Sequence, residues 1–131
     1  MAYILLIEDN QLNADMVIHL LKPLNVEIRH VLHGLDGAKM ARQDHPALIF
    51  MDFNLPDIDG RTLTLQLKKQ LGGVAAPPIV ALTARAGERE ERLAEKFGCS
   101  AFVSKPFVPE ELLRLVKRLV PTLSSENMTG D

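Results

Sequence analysis

Along the chain, short unbroken apolar runs alternate with longer stretches in which apolar residues recur every three or four positions. The runs at 3–7 (YILLI), 47–51 (ALIFM) and 78–82 (PIVAL) carry no charge, as expected of parallel strands covered on both faces. The run at 26–31 (VEIRHV) alternates and predicts a strand with one wetter face, and 101–105 (AFVSK) predicts a fifth, weaker strand. Between them the spacing predicts helices. Over 10–21, Ala14, Val17, Ile18 and Leu21 share one face, and over 109–120 so do Leu112, Leu113, Val116, Leu119 and Val120. Pro109 suits a first turn, Glu110 and Glu111 the positive end, and Lys117 and Arg118 the negative end. Shorter helical segments are expected around 36–44 and 87–97.

The stretch 62–68 (TLTLQLK) is ambiguous. It alternates like a strand, yet Leu63, Leu67 and Leu71 also fall at i, i+4 and i+8. A strand there would leave two parallel neighbours without a crossover, so a helix is expected. Five βα units imply an α/β fold: an open, doubly wound, five-stranded parallel sheet flanked by five helices, with right-handed crossovers. The 131 residues suffice for one domain with a full core. We expect that domain to span residues 1–120, with 121–131 a flexible polar C-terminal tail.

Sheets of this kind bind ligands beyond the carboxyl ends of their strands. Glu8 and Asp9 follow the first run, Asp52 the third, Thr83 and Ala84 the fourth, and Lys105 with Pro106 the fifth. Three carboxylates drawn together repel unless a cation lies among them. A hard divalent ion such as Mg2+ answers that need with one or two carboxylates and retained waters. Acids, a metal, an amine and a hydroxyl together suit a phosphoryl group, whose transfer needs positioning and charge neutralisation. A central carboxylate could itself be the nucleophile, giving an aspartyl phosphate. Any one of these residues could be a helix cap or a loop solvator; the conjunction at four of five strand ends is what favours a site.

Charge and composition narrow the alternatives. A net charge of −2 gives no electrostatic footprint for direct nucleic-acid binding. The one cysteine, Cys99, excludes an intramolecular disulfide and suits a reducing cytoplasm; a small buried residue after Gly98 is its expected role. The apolar start of the chain is too short for a membrane span and lacks a signal peptide's basic residues. A cytoplasmic protein without membrane attachment is expected. The four histidines scatter over different segments and carry no metal-enzyme pattern.

The segments "LLIEDN", "MDFNLPDIDG", "IVALTA" and "FVSKPF" resemble the receiver domain of two-component response regulators, the CheY-like family, here of the single-domain type. The likeness runs from about residue 3 to 120. It implies the flavodoxin-like strand order 2-1-3-4-5. It also implies that Asp52 accepts a phosphoryl group from a sensor histidine kinase or histidine phosphotransfer protein, with Mg2+ held by Glu8 through water, by Asp9, by Asp52 and by the backbone carbonyl of Asn54. Thr83, the amide of Ala84 and Lys105 would hold phosphoryl oxygens. Phe102 would swing inward as Thr83 shifts, altering the surface of the fourth helix, fifth strand and fifth helix for a downstream protein target. The chain would then assist its own phosphorylation and dephosphorylation without being a conventional enzyme, as a monomer or weak dimer.

Some positions vary from the family's pattern. The acidic pair is Glu-Asp where Asp-Asp is also frequent, and Asn54 and Arg85 occupy positions that tune phosphoryl lifetime. Val108 stands where a capping side chain often precedes the last helix. Other chemistries fit less well. A calcium loop with its glycine at Gly60 would run from Leu55 to Gln66, with wrong first and last ligands. A dehalogenase-type phosphatase needs a second aspartate where Asn54 stands. A mononucleotide binder needs a glycine-rich loop in place of acidic "EDNQLN". The rival of a different class is a receiver-like interaction module that works without phosphorylation. Within the acidic loop itself, Asp57 is expected to solvate the turn and Asp59 with Gly60 to shape the start of the third helix.

Overall fold

The computed structural model describes residues 2–84 and 87–123, apart from the side chain of Val74. Five strands, β1 (Tyr3–Ile7), β2 (Glu27–Val31), β3 (Leu48–Asp52), β4 (Ile79–Thr83) and β5 (Ala101–Ser104), form one parallel sheet in the order β2-β1-β3-β4-β5. The helices α1 (Gln11–Leu20), α2 (Gly34–Gln43), α3 (Gly60–Gln70), α4 (Glu88–Lys96) and α5 (Pro109–Leu119) alternate with them. The expected strand order and βα alternation are both present. Of the expected tail 121–131, the part from 124 onward lies outside the described residues, as does Arg85, whereas Leu123 is buried in the core beneath α1 and α5.

Strand alternation divides the core in two. Ile4, Leu6, Leu48, Phe50, Val80 and Leu82 pack under α1 and α5, against Ala14, Val17, Leu112 and Val116. Their neighbours Leu5, Ile7, Ile49, Met51, Ile79 and Ala81 face Ala38, Ala41, Leu63, Leu67 and Ala94 of α2, α3 and α4. This two-sided burial is why β1, β3 and β4 read as unbroken apolar runs. The edge strand β2 is half-exposed, as its alternating sequence requires.

The ambiguous stretch is helical. Leu63 and Leu67 form the buried stripe of α3, Leu71 follows it at the helix end, and Leu65 points outward. Thr64 is buried as well, its hydroxyl donating to the Gly60 carbonyl at 2.8 Å. Asn10 caps α1 by accepting from the Asn13 N–H, while Val108 gives α5 no side-chain cap, as its sequence implied. Cys99 is buried after Gly98, whose φ of +102° needs a glycine, and burial pushes its thiol up to about 11, so it is inert.

At Gly60 the chain meets the site. A Cβ there would stand 2.6 Å from the Asp52 carbonyl oxygen and 2.7 Å from the Phe53 Cα, so only glycine lets α3 begin against the end of β3. Both obstacles are backbone and cannot turn aside. Gly60→Ala should therefore lower stability by about 1–3 kcal/mol through overpacking, against a helix-propensity gain of about 1 kcal/mol. Urea unfolding checks it: the midpoint should fall with the slope unchanged.

Candidate functional site

The register places the carboxyl ends side by side. Ile7 pairs with Met51, Asp52 with Leu82, and Thr83 with Ser104. Glu8 and Asp9 therefore leave the sheet next to Asp52, and Lys105 next to Thr83, whose carbonyl accepts the Lys105 backbone N–H at 2.8 Å. The Lys105–Pro106 peptide is cis.

Glu8 is fully buried and Asp52 is 2% exposed, whereas Asp9 is exposed. One oxygen from each of the three carboxylates lies within 4.8 Å of the others. Lys105 Nζ stands 2.8 Å from Glu8 Oε1 and 3.6 Å from Asp52 Oδ2. Glu8 Oε2 accepts from the Asn10 N–H at 3.2 Å, but Oε1 has the ammonium at ion-pair distance without hydrogen-bond geometry. Asp52 Oδ1 accepts from the Asn54 N–H at 2.9 Å, which fixes the carboxylate's orientation.

Burial pushes the Asp52 carboxyl above the ordinary carboxylate range. The neighbouring Glu8 adds to this, and the Asn54 N–H works against it. Among the described residues one ammonium thus stands beside the two buried acids, with the exposed Asp9 next to them. An oxygen-only cluster with excess negative charge and a poorly satisfied buried oxygen fits a hard divalent cation. His30 meets the backbone of this segment: its Nε2–H donates to the Glu8 backbone carbonyl at 2.8 Å.

Beside the acids, a cleft of about 270 Å3 is lined by Phe53, Asn54, Arg61, Thr83, Leu93 and Phe102, among others. Thr83 is 5% exposed, Phe102 half-buried and Ala84 exposed. Glu8, Asp9, Asp52, Asn54, Thr83, Ala84, Phe102 and Lys105 thus all lie at this edge of the sheet or in the cleft beside it.

Three neighbours were not anticipated. Asp57 does not simply solvate its turn: Oδ1 and Oδ2 accept from the backbone N–H groups of Gly34 and Leu35, each at 2.9 Å. Burial alone would raise its carboxyl, but those amides hold it below the ordinary value. Its partners lie 23 and 22 residues upstream, so no local motif carried the signal. Arg61 forks back onto Asp59, with Nη2 3.0 Å from Oδ2, and lies over the Phe97 ring at 5.8 Å. His30, one of the scattered histidines, meets the Glu8 backbone carbonyl. Asp59 does start α3, accepting from the Arg61 N–H at 2.8 Å.

Comparison with known proteins agrees with this arrangement. The chain is 32% identical over 116 residues to the polar-differentiation response regulator DivK of Brucella ovis, covering 87% of this chain and 92% of that protein. It is 36% identical over 120 residues, 90% of its length, to the hybrid signal transduction histidine kinase G of Dictyostelium discoideum, of which it spans 4%. Among solved structures, the receiver domain of the sensor histidine kinase PA1611 of Pseudomonas aeruginosa PAO1 superposes with a TM-score of 0.81 at 31% identity, covering 92% of this chain and 98% of that one. That structure has a magnesium ion coordinated in its active-site cleft. Residues 4–117 match the model of the response regulator receiver domain, and the chain belongs to that family.

Proposed function

We propose that Asp52 is the phosphoacceptor of a two-component or phosphorelay system, taking its phosphoryl group from a phosphohistidine on a kinase or phosphotransfer protein. The observation that carries this reading is a buried carboxylate at a strand end with Glu8, Asp9 and Lys105 around it. In the transfer, the Asp52 carboxylate forms a P–O bond as the P–N bond breaks and its electron pair returns to the histidine ring. The chain's groups position the reactants. The Asn54 N–H holds Asp52, the Lys105 ammonium turns from Glu8 toward a phosphoryl oxygen, and Thr83 with the Ala84 amide receives the others. Glu8, Asp9, Asp52 and the Asn54 carbonyl would hold Mg2+, which supplies charge neutralisation when bound.

Phe102 supports a route outward. It lines both the cleft containing Thr83 and a groove of about 510 Å3 between α4, β5 and α5, whose walls include Glu91, Glu95, Arg114 and Arg118. Movement of Thr83 toward a phosphoryl group would shift the ring and reshape that face for a protein target. No helix among the described residues is long and apolar enough to cross a membrane.

Acetyl phosphate with Mg2+ should label the wild-type chain with an acid-stable, base-labile acyl phosphate, and Asp52→Asn should abolish the label. Undiminished labelling of the variant would overturn the acceptor assignment, and no uptake by wild type would favour an interaction module that works without phosphorylation.

The raised Asp52 carboxyl also sets a stability test. Its folded form binds protons more readily than the unfolded chain, so ionising it in place carries a stability penalty once pH exceeds the raised value. That penalty fades as pH falls through the raised value toward about 3.9, the unfolded aspartate's. With EDTA present, Asp52→Asn should melt above wild type at pH 7, and the gap should close on acidification. Mg2+ at a hundred times its Kd should stabilise wild type by about 2.7 kcal/mol and the variant by less. Thermal melts over a pH and Mg2+ series read both.

A further inference from the structure

The β3–α3 loop, residues 53–59, is tied to a helix that contributes no side chain to the acidic cluster. Asp57 spends both carboxylate oxygens on the first two N–H groups of α2, Gly34 and Leu35, each at 2.9 Å. The residue that should cap α2 locally, His33, has extended backbone but makes no side-chain cap hydrogen bond. Gly34 lies so close under the loop that a Cβ would stand 2.5 Å from Ile58 Cγ2 and 3.1 Å from Leu55 Cδ1. The helix start and the loop therefore meet through two carboxylate bonds and a close apolar contact. On the other side of the same loop, the Asn54 N–H holds Asp52 Oδ1 at 2.9 Å, and Asn54 follows the acceptor by two residues. A loop free to move would let both the Asn54 amide and its carbonyl wander.

We propose that Asp57 is a positioning residue: by clamping the β3–α3 loop onto the N-terminus of α2, it holds the Asn54 backbone where it orients Asp52 and completes the divalent-cation site. This deepens the proposed reading and rests on it. The clamp pre-organises the loop before the ion arrives, so its loss appears as weaker cation binding. The bland alternative is that Asp57 only caps α2, where removing a capping side chain lowers stability and nothing else.

The two roles separate in a small set of variants. Asp57→Ala removes cap and clamp together. Adding His33→Ser to it supplies α2 with a local cap on backbone already extended, but does not restore the loop's tether. Asp57→Asn keeps one acceptor oxygen of the two. Mg2+ binding is measured by isothermal titration calorimetry, which suits a chain without tryptophan. Hydrogen exchange of the Asn54 amide is followed in EDTA.

The clamp predicts that Asp57→Ala raises the Mg2+ Kd by roughly three- to tenfold, at or below the 10–100-fold typical of groups directly bonded to metal ligands. Asn54 amide exchange should quicken in the metal-free variant. The His33→Ser/Asp57→Ala double variant should regain thermal stability but keep the weakened Kd, and Asp57→Asn should fall between. An unchanged Kd in Asp57→Ala, or a Kd restored by the double variant, would overturn the clamp while leaving the acceptor site intact. Wild type that binds no Mg2+ would overturn both.

Discussion

Glu8 and Asp52 are buried beside each other at the end of the sheet, and the rest of the site answers that constraint. Taking an ionised carboxylate out of water costs several kcal/mol even after the protein relaxes, and a like charge next to it adds to the burden. The available compensation is incomplete. Lys105 approaches both acids, Asn10 and Asn54 each lend an N–H, and one Glu8 oxygen still lacks a well-directed donor. A site left short of positive charge will take up a cation or a group that brings one, and that appetite is what makes it chemical instead of structural.

The opposite edge of the sheet is arranged differently. There the Tyr3 hydroxyl donates to the Asp44 carbonyl, and Arg29 lies over the Tyr3 ring while pairing with Glu27 and Asp44. One guanidinium there serves two carboxylates, but all three groups are partly exposed, so water screens the remainder, and they join β1, β2 and the end of α2. One edge is electrostatically satisfied and the other is not. The apolar strands between them are rigid enough to hold the unsatisfied edge in place, because both of their faces are packed.

Much of this was legible in the sequence, for identifiable reasons. Apolar runs of strand length locate β1, β3 and β4 because burial on both faces removes any need for polar positions. The strand ends then name Glu8, Asp9, Asp52, Thr83 and Lys105, since a parallel sheet brings its carboxyl ends together wherever they fall in sequence. What escaped were contacts fixed by tertiary geometry alone. Asp57 reads as a turn solvator because its partners are amides of another helix, and amides leave no mark in a sequence. Thr64 looked like part of a strand pattern because its hydroxyl bonds the preceding turn of its own helix and so can be buried there. His30 was unremarkable until β2 lay beside β1 and brought its ring to the Glu8 carbonyl.

Of the helices flanking β4 and β5, α4 has the least apolar anchorage. Its sequence, EREERLAEK, buries only Ala94, whereas α5 buries Leu112 and Val116 and α3 buries Leu63, Thr64 and Leu67. A helix with little apolar anchorage opens or shifts at small free-energy cost, so a local change at its foot can be felt along its length. Thr83 ends the strand that leads into α4, and Phe102 on β5 stands between the acidic cleft and the groove beside that helix. Under the proposed reading, a phosphoryl group at Asp52 acts on the least anchored helix through those two side chains. The better-buried helices α1, α3 and α5 supply the fixed frame against which such a shift becomes a signal.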